Sequence, residues 1–242
     1  RRVLFRSEEL GEDASALFNL LTGYSAPPRW NRMIVAPLGL HEAVLGLISR
    51  ESEHARAGRP AKITAKMNSL VDADVIASLY AASQAGVQID LLVRGICCLR
   101  PGVKGVSEHV RVHALVDRFL EHSRVFHFAN GGNDEVYLSS ADWMPRNFRR
   151  RVEVMWPILD EALRRRAIDE ILTTMRADSA KSWQLEATGR YGRVEPAKDG
   201  KPVRSQLRFM EFARERARDT EKAVSRQLAP VPVPNQATIT MD

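Results

Sequence analysis

Residues 62–93 admit few folds other than strand, helix, strand. Lys62-Ile63-Thr64-Ala65-Lys66-Met67 reads as a strand. Asp72 stands where a helix N-cap belongs, Ile76, Leu79 and Tyr80 recur on one helical face, and Gly86 closes the helix. Val87 to Val93 then runs as a strand that turns continuously apolar at Leu91-Leu92-Val93. Three such pieces with tight connections make a βαβ unit, so its strands pair in parallel through a right-handed crossover. The apolar second strand predicts a central position, buried on both faces. In open α/β sheets ligands bind beyond the carboxyl ends of strands. Arg94 follows this strand immediately, where an anion would sit.

The flanking sequence extends the sheet. Ala14, Leu17, Phe18 and Leu21 share a face of a short helix over 12–22, stopped by Gly23. A short strand follows over 32–36, then a helix with Leu40, Val44, Leu47 and Ile48 as its stripe. Further strands are predicted near 110–116, 123–129 and 135–139, with Asn130-Gly131-Gly132-Asn133 turning between the last two. A strand over 150–156 and a helix over 160–175 complete this part. Gly189 to Pro202 reads as a polar loop, 203–228 as a charged helix with a thin apolar stripe, and 229–242 as a Pro-rich disordered tail. Residues 1–7 fit nothing that follows and read as a non-native leader.

The chain has 242 residues and carries a net charge of +6, from 36 Lys and Arg against 30 Asp and Glu. A basic balance favours polyanionic partners without choosing among them. No apolar run approaches the ~18 residues of a membrane span, and no signal peptide is evident. The two cysteines, Cys97 and Cys98, are adjacent. Neighbours in sequence rarely meet disulfide geometry, so a reduced, cytoplasmic setting is expected.

His122 and Arg124 stand two apart at the start of a predicted strand, which points both to one face. An imidazole beside a fixed cation suits phosphoryl chemistry: the ring moves a proton or attacks phosphorus while the cation holds the oxygens. Arg94, His122, Arg124 and Arg151 at the ends of neighbouring strands would make a cationic pocket with one titratable base. Ser139 and Ser140 offer hydroxyls to a phosphate, or merely cap a turn before a core Trp143. If 149–151 lies in a strand, Arg149 and Arg151 share a face and Arg150 takes the other. His127 has the opposite parity to His122 and should face away. His41, His54, His109 and His113 lack the spacing of metal ligands, so no metal site is expected. No Walker A loop, dinucleotide fingerprint or kinase catalytic loop occurs.

Several stretches together carry a family resemblance. They are Ala65 to Asp72, Leu79 to Ser83, Leu92 to Cys97, Phe119 to Val125, Asn130-Gly131-Gly132 and Val136 to Met144. In this order they resemble the C-terminal part of the large bacterial polyphosphate kinases that work through a phosphohistidine. The resemblance covers about residues 10–195. It implies an α/β fold: a phospholipase D-like domain with a mixed, partly parallel sheet flanked by helices, followed by a helical and disordered tail. It implies reversible transfer of the terminal phosphate of ATP to polyphosphate, with ATP or ADP as substrate and Mg2+ ligands in an upstream part. Arg94 and His122 match residues that contact ATP, and His122 matches an assisting acid–base histidine rather than the phosphorylated one. Arg124 and Arg151 are the further phosphate-binding candidates. Arg124 replaces the lysine of the phospholipase D His-x-Lys motif, and Asp142 stands where that superfamily has Asn. Both departures argue against phosphodiesterase chemistry in this half alone.

On this resemblance the chain divides into a leader (1–7), the end of a preceding catalytic domain (8–26), the phospholipase D-like domain (27–188) and a tail (189–242). The phosphohistidine belongs upstream, so the chain is expected to be inactive alone. Full-length members homo-oligomerise. Two alternatives are a phosphodiesterase that pairs two His motifs by homodimerising, and a basic nucleic-acid-binding module. The second lacks the aromatic-studded basic strand such modules use, so a nucleic-acid partner is not expected.

Overall fold

A computed structural model describes residues 7–23, 29–196 and 200–227, with side chains described up to residue 220. In chain order the elements are α1 (Glu8–Leu21), β1 (Ile34–Ala36), α2 (Leu40–Arg56), β2 (Lys62–Met67), α3 (Ala73–Gln84), β3 (Gln88–Val93), β4 (Val110–Leu115), β5 (Arg124–Phe128) and β6 (Glu135–Ser139). There follow α4 (Pro145–Arg149), β7 (Glu153–Pro157), α5 (Glu161–Arg166), a π-helical turn (Ala167–Leu172), α6 (Thr173–Arg176), β8 (Ser182–Leu185), β9 (Tyr191–Arg193) and α7 (Ser205–Gln227). Among the described residues the nine strands form one sheet in the order β1-β7-β6-β5-β2-β3-β4-β8-β9. Pairing is parallel between β2, β3 and β4 and antiparallel elsewhere, so the sheet is mixed.

The βαβ unit forms as its sequence predicts. The Asp72 carboxylate accepts the Val75 N–H at 3.1 Å and starts α3. Gly86, at φ +98°, lets the chain turn back into β3. Strand alternation then sorts the sheet into two unlike faces. Ile63, Ala65 and Met67 of β2 join Ile89, Leu91 and Val93 of β3 in one buried cluster with Leu40, Val44 and Ile48 of α2 and Leu79 of α3. On the other face Thr64 registers with Asp90 and His127, Asp90 with Arg111, and Lys66 with Leu92. Leu92 is buried like its neighbours, as expected of a central strand.

Buried carboxylates fasten the elements to one another. Glu51 of α2 accepts the N–H of Lys62 at 3.0 Å and of Asn130 at 2.8 Å, tying the start of β2 to the β5–β6 turn. Asp13 of α1 accepts three successive N–H groups, those of Asn31, Arg32 and Met33, at 2.7–2.8 Å. Burial works to raise its pKa, but these backbone donors outweigh it and hold the carboxyl below 3.8.

The structure departs from these expectations in several places. The strand predicted over 150–156 begins only at Glu153, because Pro145 opens a one-turn helix that ends at Arg149. Arg149, Arg150 and Arg151 therefore do not alternate along a strand. The loop predicted over 189–202 contains β9, which pairs with β8 around a turn where Gly189 has φ +86°. These strands of four and three residues are too short for a period of two to show. The sheet thus runs past residue 188, and the chain's first compact unit extends to Ser205. The helix expected over 12–22 forms as α1, with Phe18 68% and Leu21 53% exposed on its apolar face. Ser7, grouped with the leader, is the N-cap of α1, its hydroxyl accepting the Leu10 N–H at 3.3 Å. Residues 1–6 and the tail predicted over 229–242 lie outside the described residues. The second unit, from Gln206, contains the remainder of α7, where Arg208 pairs with Glu211 and lies over the Phe212 ring. No helix among the described residues is long and apolar enough to cross a membrane.

Candidate active site

Strand direction brings distant residues to one sheet edge. β2 and β3 run parallel and end together at Met67 and Val93, so Asn68 and Arg94 leave side by side. β5 runs antiparallel to β2, so its first residue, Arg124, lies at the same edge. β6 runs back and ends at Ser139 opposite Arg124, delivering Ser140 and Asp142. Arg151, just before β7, and Glu153, its first residue, complete the edge. The resulting cleft, of about 590 Å³, is lined by Asn68, Ser69, Arg94, His122, Arg124, Ser140, Asp142, Arg146, Arg151 and Glu153. All four residues singled out in the sequence line it.

His122 reaches the cleft by a different route from the one its spacing suggests. β5 starts at Arg124, so His122 lies in the preceding loop and is not fixed by strand alternation. Arg124 holds it instead. Its Nη1 donates to the His122 carbonyl at 2.9 Å and lies 3.1 Å from the ring Nδ1, and its Nη2 lies 3.4 Å from Nε2. A guanidinium only donates, so a ring nitrogen that accepts from it is the one that carries no proton.

The opposite side of that guanidinium is engaged. Arg124 donates from Nε to Asp142 Oδ1 at 3.2 Å and from Nη2 to Oδ2 at 2.9 Å. Asp142 also accepts from the Asn68 N–H at 2.7 Å and from the Asn68 amide. Burial pushes the Asp142 carboxyl up, but the Arg124 and backbone hydrogen bonds together bring it below 3.8. Asn68 in turn accepts from Arg94 Nε at 3.2 Å. Among the described residues no carboxylate pairs with Arg94, Arg146 or Arg151, so these are the cleft's unneutralised guanidiniums.

The serines do not serve as phosphate donors in this arrangement. Ser139 donates to the Val154 carbonyl at 2.9 Å, and Ser140 donates to Glu153. Glu153 also accepts from the Asn147 amide at 2.7 Å. Both cleft carboxylates are thus occupied by protein donors, and the cleft does not fit a resident magnesium ion. Trp143 is fully buried against Phe126, as its core reading expects. His127 turns away from His122 and meets Asp134 at 2.7 Å. His41 lies with Asp72 and Asp74, a grouping its sequence position does not reveal, yet Asp72 caps α3 and Asp74 pairs with Arg149. Burial chiefly pushes the Cys97 thiol up to about 11, consistent with no nucleophilic role.

Sequence reading passed over three contributors. Arg146 lines the cleft from α4, a one-turn helix that the sequence reading does not predict. Asn68 links Arg94 to Asp142. Lys66, two residues earlier on β2, is buried and bonds to the loop that carries His122. A Lys-x-Asn pair at the end of a strand preceding a βα turn was the available signal.

The chain has relatives among known proteins. The family profile described as polyphosphate kinase C-terminal domain 2 matches residues 33–206. Polyphosphate kinase of Halalkalibacterium halodurans is 48% identical over 211 residues, 87% of this chain and 30% of that protein. The Thermosynechococcus vestitus polyphosphate kinase is 52% identical over 190 residues, 78% of this chain and 26% of its own. The crystal structure of polyphosphate kinase from Porphyromonas gingivalis superposes with a TM-score of 0.82 at 41% identity, covering 87% of this chain and 32% of that one. The chain therefore spans about three-tenths of the length of the relatives it matches.

Proposed function

Because the chain belongs to the polyphosphate kinase family, we propose that its cleft forms one side of a site that moves a phosphoryl group reversibly between ATP and polyphosphate. The observation that carries this is the convergence of Arg94, Arg146 and Arg151, none paired with a carboxylate among the described residues, around His122. Cations so placed hold phosphate oxygens and neutralise charge that develops in transfer. Arg94 contacts the ATP phosphates, with Arg151 beside it. Arg124, bound to Asp142, acts mainly by orienting His122.

In the forward direction the bond from the terminal phosphorus to the ADP oxygen breaks, and ADP leaves with the electron pair. The phosphoryl group passes to a histidine outside these motifs and then to the terminal oxygen of the polyphosphate chain. His122 gives or takes the proton at the oxygen that leaves or attacks. Magnesium carried by the nucleotide would shield its phosphates; this cleft supplies no ligand set for it. A cytoplasmic setting for the reaction fits the two free cysteines, Cys97 and Cys98.

Titration calorimetry with Mg–ATP tests the assignment. The 242-residue chain is expected to bind the nucleotide weakly, and Arg94→Ala to weaken binding by about tenfold, in line with loss of a charge-assisted contact. Equal affinity of the two proteins would refute the role of Arg94. A parallel assay of polyphosphate synthesis by the pure chain should show no turnover. Turnover would mean that the chain carries its own phosphoryl acceptor.

A further inference from the structure

Lys66 is 1% exposed, on the polar face of β2. Burying an ammonium is costly unless its protons find partners. The partners named by the geometry all lie in one short loop. Nζ donates to the carbonyl and to the hydroxyl of Ser123, both at 2.9 Å, and lies 3.6 Å from the Glu121 carboxylate. Glu121 and Ser123 are the two residues that flank His122.

Elsewhere the loop is held at Asp117, which accepts two hydrogen bonds from Arg204, and at the His122 carbonyl, which accepts from Arg124. Residues 116–123 form no helix or strand, and Val116, Phe119 and Leu120 stand 61%, 50% and 71% exposed. Around Lys66, Arg94 and Glu121 there is a hollow of only about 10 Å³, room for a single water at most. The ammonium is thus shut away from bulk solvent and from a ligand in the cleft. Burial pushes its pKa down, with Glu121 opposing the shift, so the pair and the two Ser123 bonds stand in place of hydration.

We propose that Lys66 is a positioning residue that holds the two residues flanking His122, Ser123 by its carbonyl and hydroxyl and Glu121 by its carboxylate, and so presents the imidazole to the cleft beside Arg94. Arg124 orients the ring, and Lys66 fixes the loop from which the ring projects. Lys66 does not touch substrate. A hydrophobic side chain of similar length would fill the same volume without holding the loop. The catalytic consequence rests on the acid–base reading of His122, whereas the positioning itself does not.

The test uses the 242-residue chain and its six histidines as internal reporters. Imidazole resonances are assigned by single His→Gln variants and compared between wild type and Lys66→Met. The His122 signal should shift or broaden in Lys66→Met while those of His41, His54 and His109 stay in place. Amide exchange at 121–123 should rise about tenfold or more, with the core of β3 unchanged, as expected of local rather than global opening. Lys66→Arg should restore part of both effects. If Lys66→Met does not fold, Ser123→Ala, which removes one of the two 2.9 Å acceptors, should displace the same signal to a smaller extent. Movement of all histidine signals together, or an unchanged His122, would overturn the proposal. Because neither readout uses nucleotide, failure of the ATP reading leaves this result interpretable.

Discussion

A cleft rich in arginine is defined by which guanidiniums are already neutralised. Arg124 and Asp142 form a two-point contact with side chains only 11% and 6% exposed. Removing one partner of such a buried pair leaves the other charge stranded, which costs about 3–5 kcal/mol. Asp142→Ala should lower the urea-unfolding free energy by that amount at pH 7 and loosen His122, since Arg124 then loses its anchor. The pH dependence has a definite sign. The native carboxyl titrates below its unfolded value of 3.8, so its stabilisation is fully present above that value. It is lost as pH falls through the native pKa. The gap between wild type and Asp142→Ala should therefore stay constant from pH 7 to about 5 and narrow below about 3.8. A gap that widened on acidification would contradict the assignment.

Turns and strand ends decide which residues meet. Between β5 and β6, Gly131 adopts φ +66°, and a Cβ there would stand 2.8 Å from His54 Cε1. The His54 ring cannot simply swing aside without giving up its 3.2 Å contact to Asn130. Gly131→Ala should cost about 1–3 kcal/mol, combining left-handed backbone strain with this clash. In the His54→Ala background the steric share disappears, so the cost should fall toward about 1 kcal/mol. A double-mutant cycle by thermal or urea unfolding measures the difference. Elements of this kind were legible in the sequence where local chemistry and period agreed: Asp72 as a cap, Gly86 as a stop, Asn130 to Asn133 as a turn. Legibility failed where elements hold too few repeats of their period for a pattern to stand out. α4 spans only Pro145–Arg149, and β8 and β9 hold four and three residues. The site was legible as residue types at strand ends. It was not legible as partnerships: Asp142 claiming Arg124, Glu153 claiming Ser140, and Lys66 reaching the loop around His122 all depend on the lateral order of strands.

Over the whole molecule, charge and topology set the remaining expectations. A net charge of +6 and three unneutralised guanidiniums in one cleft give long-range attraction to a polyanion. That attraction is screened over about 10 Å at 0.1 M salt and about 3 Å at 1 M. Polyphosphate binding should accordingly weaken steeply between these concentrations, as followed by fluorescence anisotropy of an end-labelled chain. Retention of full affinity at 1 M salt would exclude a mainly electrostatic association. The strand order has a consequence of another kind. Among the described residues β1 pairs with β7 alone, and about 120 residues separate Ile34 from its partner Met155. At about 5–20 residues per second a ribosome takes on the order of 6–24 s to make that stretch. Throughout that interval the newly made β1 has no template to join, and its unsatisfied backbone is open to chaperones or to a neighbouring nascent chain.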